Sequence, residues 1–376
     1  MTCKIMKIGS LKGRVILFLA IVLPLMLKAE NKHYFFYRPE IDYGSEVVSN
    51  PLTLLLNGSY DVLRNGGHRY NGKTASVFQL DYRQGFRNVW DNITSPAYHI
   101  NHYGWNRFLT QEVFPTSLDA NKAQWLPNYG HHILGSGMLW VRTAEWFDYH
   151  GYPHPFWFSF VVTTAYQFMN EVLENNHSNK TNVDPIADIL IFNPLGFLVF
   201  SSHAVRKFFS ETVRMYDWSL QPVFNPFNAH LRNAGLQFAF KYQPHSFKRT
   251  ALFLYYGIYG IGGISYRVKK DYHLSFGLGT VVNRLQEHII HGSRLITPHT
   301  DGALGIFWDR NHSVLLSAIL TGPRMYNARI NVYPGLISIG KFSPGLFLAF
   351  GQWDHFVMGF TLARFPVGLA AGAGGK

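Results

Sequence analysis

Seven side chains between residues 131 and 188 are of types and spacings that do chemistry. His131 and Arg142, with Glu145 one turn further, share one stripe of an apolar helical run, since steps of three, four and seven residues return to the same face. His132 sits beside that stripe and pairs at i, i+4 with Ser136. In the next run Glu171 lies on a polar face with Gln167, Asn170 and Glu174, and in the third Asp184 and Asp188 are one turn apart, followed by Asn193 and Gly196. Convergence of histidine, arginine and several carboxylates suits a hard or borderline divalent metal ion, or acid–base chemistry by a carboxyl whose pKa burial has moved. The ordinary reading stands beside it. Polar stripes face water, Arg142 and Glu145 form a surface pair, and Asp184 caps a helix.

Three helices are needed to position these groups, and the sequence supplies three apolar runs, 131–149, 155–175 and 186–206. His154-Pro155 and Asp184-Pro185 are helix-start signals for the second and third. Each run is close to membrane-spanning length, yet each carries ionisable groups, which favours a bundle at the membrane interface or against a barrel.

A second candidate lies further on. His273-Leu274-Ser275 places histidine and serine on one face of a strand, and Glu287 follows twelve residues after the serine. Histidine deprotonating serine, with a third group orienting the imidazole, is nucleophilic acyl chemistry. Two weaker metal sets are His99 with His102, and Glu287, His288, His291 and His299 in a stretch, 283–300, that reads as the longest loop between strands. No phosphate-binding glycine loop, nucleophile elbow or dinucleotide fingerprint is present.

The rest of the chain reads as a mounting for these groups. Lys4, Lys7, Lys12 and Arg14 precede an apolar run, Val15–Leu27, then Lys28-Ala29, which is the pattern of a secretory signal peptide over 1–29. Its removal takes away Cys3, the one cysteine, and five Lys/Arg, leaving 29 Lys+Arg against 22 Asp+Glu, a charge of +7. Aromatics at 16% and charged residues at 15% are unlike an ordinary soluble domain, which has about a quarter charged. The charge is too diffuse for nucleic acid and suits membrane lipid or lipopolysaccharide phosphates.

Residues 30–127 are polar and turn-rich, with one alternating stretch, Ser76–Tyr82, that reads as a strand. Residues 128–210 hold the helical segment. From about 231 to 376 the period becomes two: Leu236, Phe238, Phe240 and Tyr242 alternate with polar or small residues, as do Tyr272–Gly279, Tyr326–Val332 and Phe356–Ala363. That is the signature of an antiparallel transmembrane β-barrel, expected to have about 8–12 strands and to end near Phe365 ahead of a Gly/Ala tail. The fold class expected is therefore α+β, a three-helix apolar segment followed by a barrel in the bacterial outer membrane.

NYGHHILGSGM, Asn170-Glu171 and DPIADILIFNPLG together resemble a bacterial envelope family of unknown function. Its pattern is a His-led small-residue helix, an aromatic-flanked Glu, and an Asp-Leu-Ile segment running to Pro-x-Gly. The matching positions are His131 or His132, Glu171, Asp188, Pro194 and Gly196. The resemblance covers residues 128–200 and implies an exported, outer-membrane protein without implying an activity. His273-x-Ser275 with Glu287 is similar to the site of outer-membrane acyl hydrolases acting on phospholipid or lipid A. Three functions follow as expectations: a helical site acting on or carrying outer-membrane lipid, a structural or transport barrel plugged by its helices, and a serine acyl hydrolase.

Overall fold

A computed structural model describes residues 33–39, 44–61, 69–70, 73–74, 76–115, 126–176, 182–290, 293–322, 327–340, 342–351 and 356–373; for 44–45, 69–74, 126–127 and 283–299 only the backbone is described. The signal-like stretch 1–29 lies outside them.

Helices fill the first half. The stretch expected to be turn-rich contains α1 (Gly44–Ser49), α2 (Pro51–Ser59), α3 (Tyr82–Thr94) and α4 (Pro96–Tyr103). Local caps explain why. Asn50 accepts from Leu52 N with proline at the first position of α2, and Asp81 Oδ1 accepts from Gln84 N at 2.9 Å to start α3. The strand expected at Ser76–Tyr82 is instead a short 3₁₀ turn, Val77–Gln79, closed by a reciprocal Ser76/Gln79 capping box. A capping box satisfies backbone donors locally, and so it overrides the alternating pattern.

The three expected runs do form helices. Wide i→i+5 turns at Leu126–Gly135 run into α5 (Ser136–Tyr149), and α6 spans Pro155–Glu174. The short α7 (Asp184–Ala187) passes through a wide turn at Asp188–Phe192 into α8 (Asn193–Ser201). Helix α5 meets α8 glycine to glycine: a Cβ on Gly137 would stand 2.7 Å from Gly196 O. The run Asp184–Ser201 is long and apolar enough to cross a membrane by length and composition, and half of it is buried in the fold.

Among the described residues, thirteen strand segments form one sheet. They are β1 (Met215–Asp217), β2 (Val223–Asn225), β3 (His230–Arg232), β4 (Gln237–Tyr242), β5 (Thr250–Gly257), β6 (Tyr259–Arg267), β7 (Tyr272–Ile290), β8 (Ser293–Arg310), β9 (Ser313–Thr321), β10 (Ala328–Val332), β11 (Pro344–Phe350), β12 (Phe356–Leu362) and β13 (Gly368–Ala373). The fold is α+β, with β4 to β13 an antiparallel meander. Two expectations are corrected. The stretch 283–300 is not a loop, because it belongs to the long hairpin of β7 and β8, in which Glu287 pairs with Ile296. The chain also does not finish its strands near Phe365: the Gly/Ala tail makes β13, which pairs with β12 and, in parallel, with β2. Alanine and glycine are poor strand formers, and only pairing on both sides holds them there.

The ends of the meander meet one hairpin. Met215 pairs with Phe240 and Val223 with Arg232. Val223 lies as far beyond Met215 as Arg232 lies before Phe240, so β1–β2 and β3–β4 share one antiparallel register. One chain run, 215–225, thus hydrogen-bonds β4 at its start and β13 at its end.

The sheet curls. Arg329 of β10 donates to Tyr259 OH of β6 at 2.8 Å. Four strand spacings would separate them by about 19 Å on a flat sheet. The inner face is packed by Trp218, Phe253, Tyr255, Phe307 and Tyr333. The opposite face carries Leu252, Leu254, Ile264, Phe276, Leu278, Leu320, Met358, Phe360 and Leu369, all exposed. The alternation seen in the sequence therefore places its large apolar side chains outward.

The helices sit on that outward face. Phe238 pairs with Tyr256 and Phe240 with Leu254, and cross-strand partners share a face. Leu236, Phe238 and Tyr256 are buried against Met138, Leu139, Trp140 and Phe200 of α5 and α8.

Candidate functional site

His132 lies on the wide turn before α5, and Asp188 on the wide turn between α7 and α8. Such widened turns shift a helix's facing side chains by part of a turn and recur at functional sites. Here they bring His132 Nε2 to 3.2 Å from Asp188 Oδ2, with Nδ1 3.0 Å from Asn193 Oδ1. Gly196 allows this approach, because a Cβ there would stand 2.8 Å from the carbonyl oxygen of His132 itself.

Glu171, near the end of α6, is buried beside Asp188 and hydrogen-bonds with it. Asn175 Nδ2 donates to Glu171 Oε2 at 3.3 Å, and Asn182 Nδ2 donates to Asn175 Oδ1 at 2.8 Å, tying the end of α6 to the start of α7. One carboxylate oxygen from each of Glu171, Glu174 and Asp184 lies within 4.8 Å of the other two. Glu112, from a wide helical turn at Phe108–Val113, is buried close by.

Five carboxyl groups and one imidazole thus share a largely dry site. Burial, then the Asp184 and Glu174 carboxylates, push Glu171 well above the ordinary carboxylate range. Burial and Asp184 do the same to Glu112. His132 moves the other way, lowered by burial to about 4. Asp188 Oδ1 and Glu112 Oε2 have no hydrogen-bond partner among the described residues. Buried carboxylate oxygens left in that state await a proton or a cation. An all-oxygen set of this kind fits a hard divalent cation such as Mg²⁺, Ca²⁺ or Mn²⁺.

Of the sequence candidates, His132, Glu171, Asp184 and Asp188 come together, and the other three are placed elsewhere. His131 packs between Phe238 and Tyr256 of the sheet. Arg142 does not join the carboxylates: its NH1 lies 2.5 Å from Asp217 Oδ2 and donates to Val48 O at 2.7 Å. Glu145 accepts from the backbone N–H groups of Phe35, Phe36 and Tyr37 at 2.8 to 2.9 Å, and so anchors the amino-terminal segment to α5. Burial pushes its pKa up to about 7 against the opposing pull of those three donors. One helical stripe has been split among three tasks. Glu112 lies in the stretch read as turn-rich and was missed. Glu174 and Asn193 carried the signal of helical spacing.

The serine arrangement fails on geometry. Ser275 is fully buried on the inner face and donates to Ser265 Oγ at 2.8 Å. Glu287 lies on the same strand twelve residues on, roughly 40 Å at 3.3 Å per residue, too far to orient His273. His273 Nδ1 is instead 3.3 Å from Asp309 Oδ1, and His312 with Asp309 completes a second set of possible metal ligands. The His99 and His102 pair does not converge either, with His99 buried beside Asp91 at 3.2 Å and His102 exposed. The side chains of Glu287, His288, His291 and His299 lie outside those described.

Comparisons with protein-family models, with curated proteins and with solved structures find no match.

Proposed function

We propose that the protein is a bacterial outer-membrane β-barrel bearing a lateral helical module whose His132–Asp188–Glu171 centre, with Glu112, Glu174 and Asp184, performs cation-assisted acid–base chemistry on membrane lipid. The observation that carries this reading is a juxtaposition. The buried carboxylate centre belongs to a bundle that docks on the same face of the sheet as the exposed apolar belt. In a barrel that face meets lipid, and so lipid is the neighbour within reach.

Strand pairing at the two ends of the sheet supports the barrel reading. The run 215–225 pairs with β4 at its start and, in parallel, with β13 at its end, as the first strand of an odd-stranded barrel would. The packed inner face and the outward position of the helices favour a site-bearing module over a plugged pore. At the centre, a protonated Glu171 supplies a proton and the Asp188–His132 pair yields and retakes the one it shares, while a divalent cation, when bound, would offset the remaining carboxylate charge.

The test uses the full chain purified in detergent. It is incubated with lipopolysaccharide and with phospholipid, with and without Mg²⁺, Ca²⁺ or Mn²⁺, and products are read by mass spectrometry. Wild type should give a cation-dependent product that Glu171→Gln abolishes and Ser275→Ala leaves intact. Folded wild type yielding no product with any of the three ions would sink the reading, as would loss in Ser275→Ala alone.

A further inference from the structure

A second site lies on the sheet's inner face and shares no residue with the carboxylate centre. A cavity of about 250 Å³ opens beside the β4–β5 and β6–β7 turns and is lined by Arg214, Lys241, Arg249, Arg267 and Lys270, with no acidic residue in its wall among the described residues. Cross-strand pairing explains the concentration of charge. Arg267 pairs with His273 and Ala251 with Ser265, so these neighbours project to one face.

The cations are held in place. Arg267 NH2 donates to Lys248 O at 2.5 Å and Arg214 NH1 to Gln243 Oε1 at 3.2 Å. Arg214 adopts a left-handed backbone, φ 57°, costly for a side-chain-bearing residue, at the cavity wall. Lys241 is neutralised by Asp309 beneath the cavity and lies 4.8 Å over the Trp218 ring. That leaves Arg214, Arg249, Arg267 and Lys270 as the excess of positive charge.

We infer that this cavity binds a phosphate group, and that its source is the headgroup of an anionic membrane lipid. Arginine guanidinium groups match phosphate oxygens in geometry as well as charge. The space is large enough for several waters or for a phosphate group in their place. At the same end of the strands Tyr242 and Tyr266 face outward and are exposed, and aromatic residues at strand ends mark the level of the headgroups. This site uses residues of the strands and of the segments that join them and shares none with the helical centre, although its lipid source rests on the barrel reading.

Binding is measured on the full chain in a neutral detergent. The probes are inorganic phosphate by calorimetry, and mixed micelles containing phosphatidic acid, or phosphatidylcholine as the neutral control, by thermophoresis. The variant is Arg249→Gln with Lys270→Gln, and its charge control is Lys269→Gln, an exposed residue of the same turn that does not line the cavity. Phosphatidic acid should bind to wild type and to Lys269→Gln alike, with at least tenfold loss in the double variant, whose circular dichroism should match wild type. Tight binding of inorganic phosphate with the same loss, and none of phosphatidic acid, would keep the phosphate site and overturn its lipid source. No binding of either probe, or equal weakening by Lys269→Gln, would overturn the inference altogether.

Discussion

His132 and Asp188 face each other across 3.2 Å, and the far ring nitrogen of His132 lies 3.0 Å from the amide oxygen of Asn193. An amide oxygen only accepts, so Nδ1 carries the proton it accepts. The neutral ring then has a lone pair at Nε2, and a carboxyl facing it must bring the proton between them. One proton is shared by the pair. Asp188→Asn keeps a donor toward Nε2 but removes the group that yields and retakes that proton. A drop of about 10² to 10⁴ in turnover is expected, the usual range for a lost acid–base group, with a near-normal melting temperature. Product formation by mass spectrometry and a thermal melt on the same sample check it, and unchanged turnover would remove Asp188 from the chemistry.

Glu171 makes the centre's cost measurable. Its pKa in the fold is raised above the ordinary 4.5, so the fold favours the protonated form. The stability it contributes is full below pH 4.5 and is lost as pH rises toward the folded value, at up to about 1.4 kcal/mol per pH unit. His132, lowered to about 4, acts oppositely: its contribution is present above its ordinary 6.5 and is lost as pH falls toward 4. Above pH 6.5 His132 adds no slope, and since Glu112 and Glu145 are raised in wild type and variant alike, the difference between wild type and Glu171→Gln isolates the slope from Glu171. Glu171→Gln cannot ionise, and in EDTA its denaturation midpoint should overtake that of wild type progressively from pH 6.5 to 8.5. Parallel curves across that range would show that Glu171 ionises in the fold at no cost.

Which parts of this site could be read from sequence depended on where each residue's partner lay. Helical spacing marked 131–149, 155–175 and 186–206, and period two marked the strands, because each pattern reports one face against one environment. His132, Glu171 and Asp188 were visible as polar groups on apolar runs. The sequence pattern could not say that Arg142 and Glu145, one turn apart on a shared stripe, serve partners 75 and 110 residues away, Asp217 and Phe35. Glu112 stayed hidden because a wide turn has neither the helical nor the strand period. Glu287 misled because a twelve-residue spacing looks close in a loop and is far apart on one continuous strand.

Arg142 tests the structural side of that stripe. Arg142 and Asp217 are 1% and 3% exposed, so neither charge has water as an alternative. Arg142→Met strands a buried carboxylate and should cost about 3–5 kcal/mol, whereas adding Asp217→Leu should recover most of it. Urea titrations of the two variants decide the matter. Activity per folded molecule should match wild type in the double variant, since the pair holds α5 to β1 and takes no part in proton transfer. A folded double variant that is inactive would return Arg142 to the site.

Gly196 links packing to chemistry. A Cβ there would stand 2.7 Å from Ile133 O and 2.8 Å from His132 O, contacts with backbone that cannot swing aside. Gly196→Ala must therefore push the His132 turn away from α8, widening the 3.2 Å gap to Asp188, at a cost of about 1–3 kcal/mol for overpacking. Gly137→Ala is the matched comparison. Its Cβ would meet the Phe200 ring at 2.4 Å and Gly196 O at 2.7 Å, crowding the same crossing without touching the His132 carbonyl. Both variants should melt below wild type, but only Gly196→Ala should lose turnover beyond its folded fraction. Equal activity per folded molecule in the two would mean that the helix crossing supports the fold alone and that His132 keeps its place by other contacts.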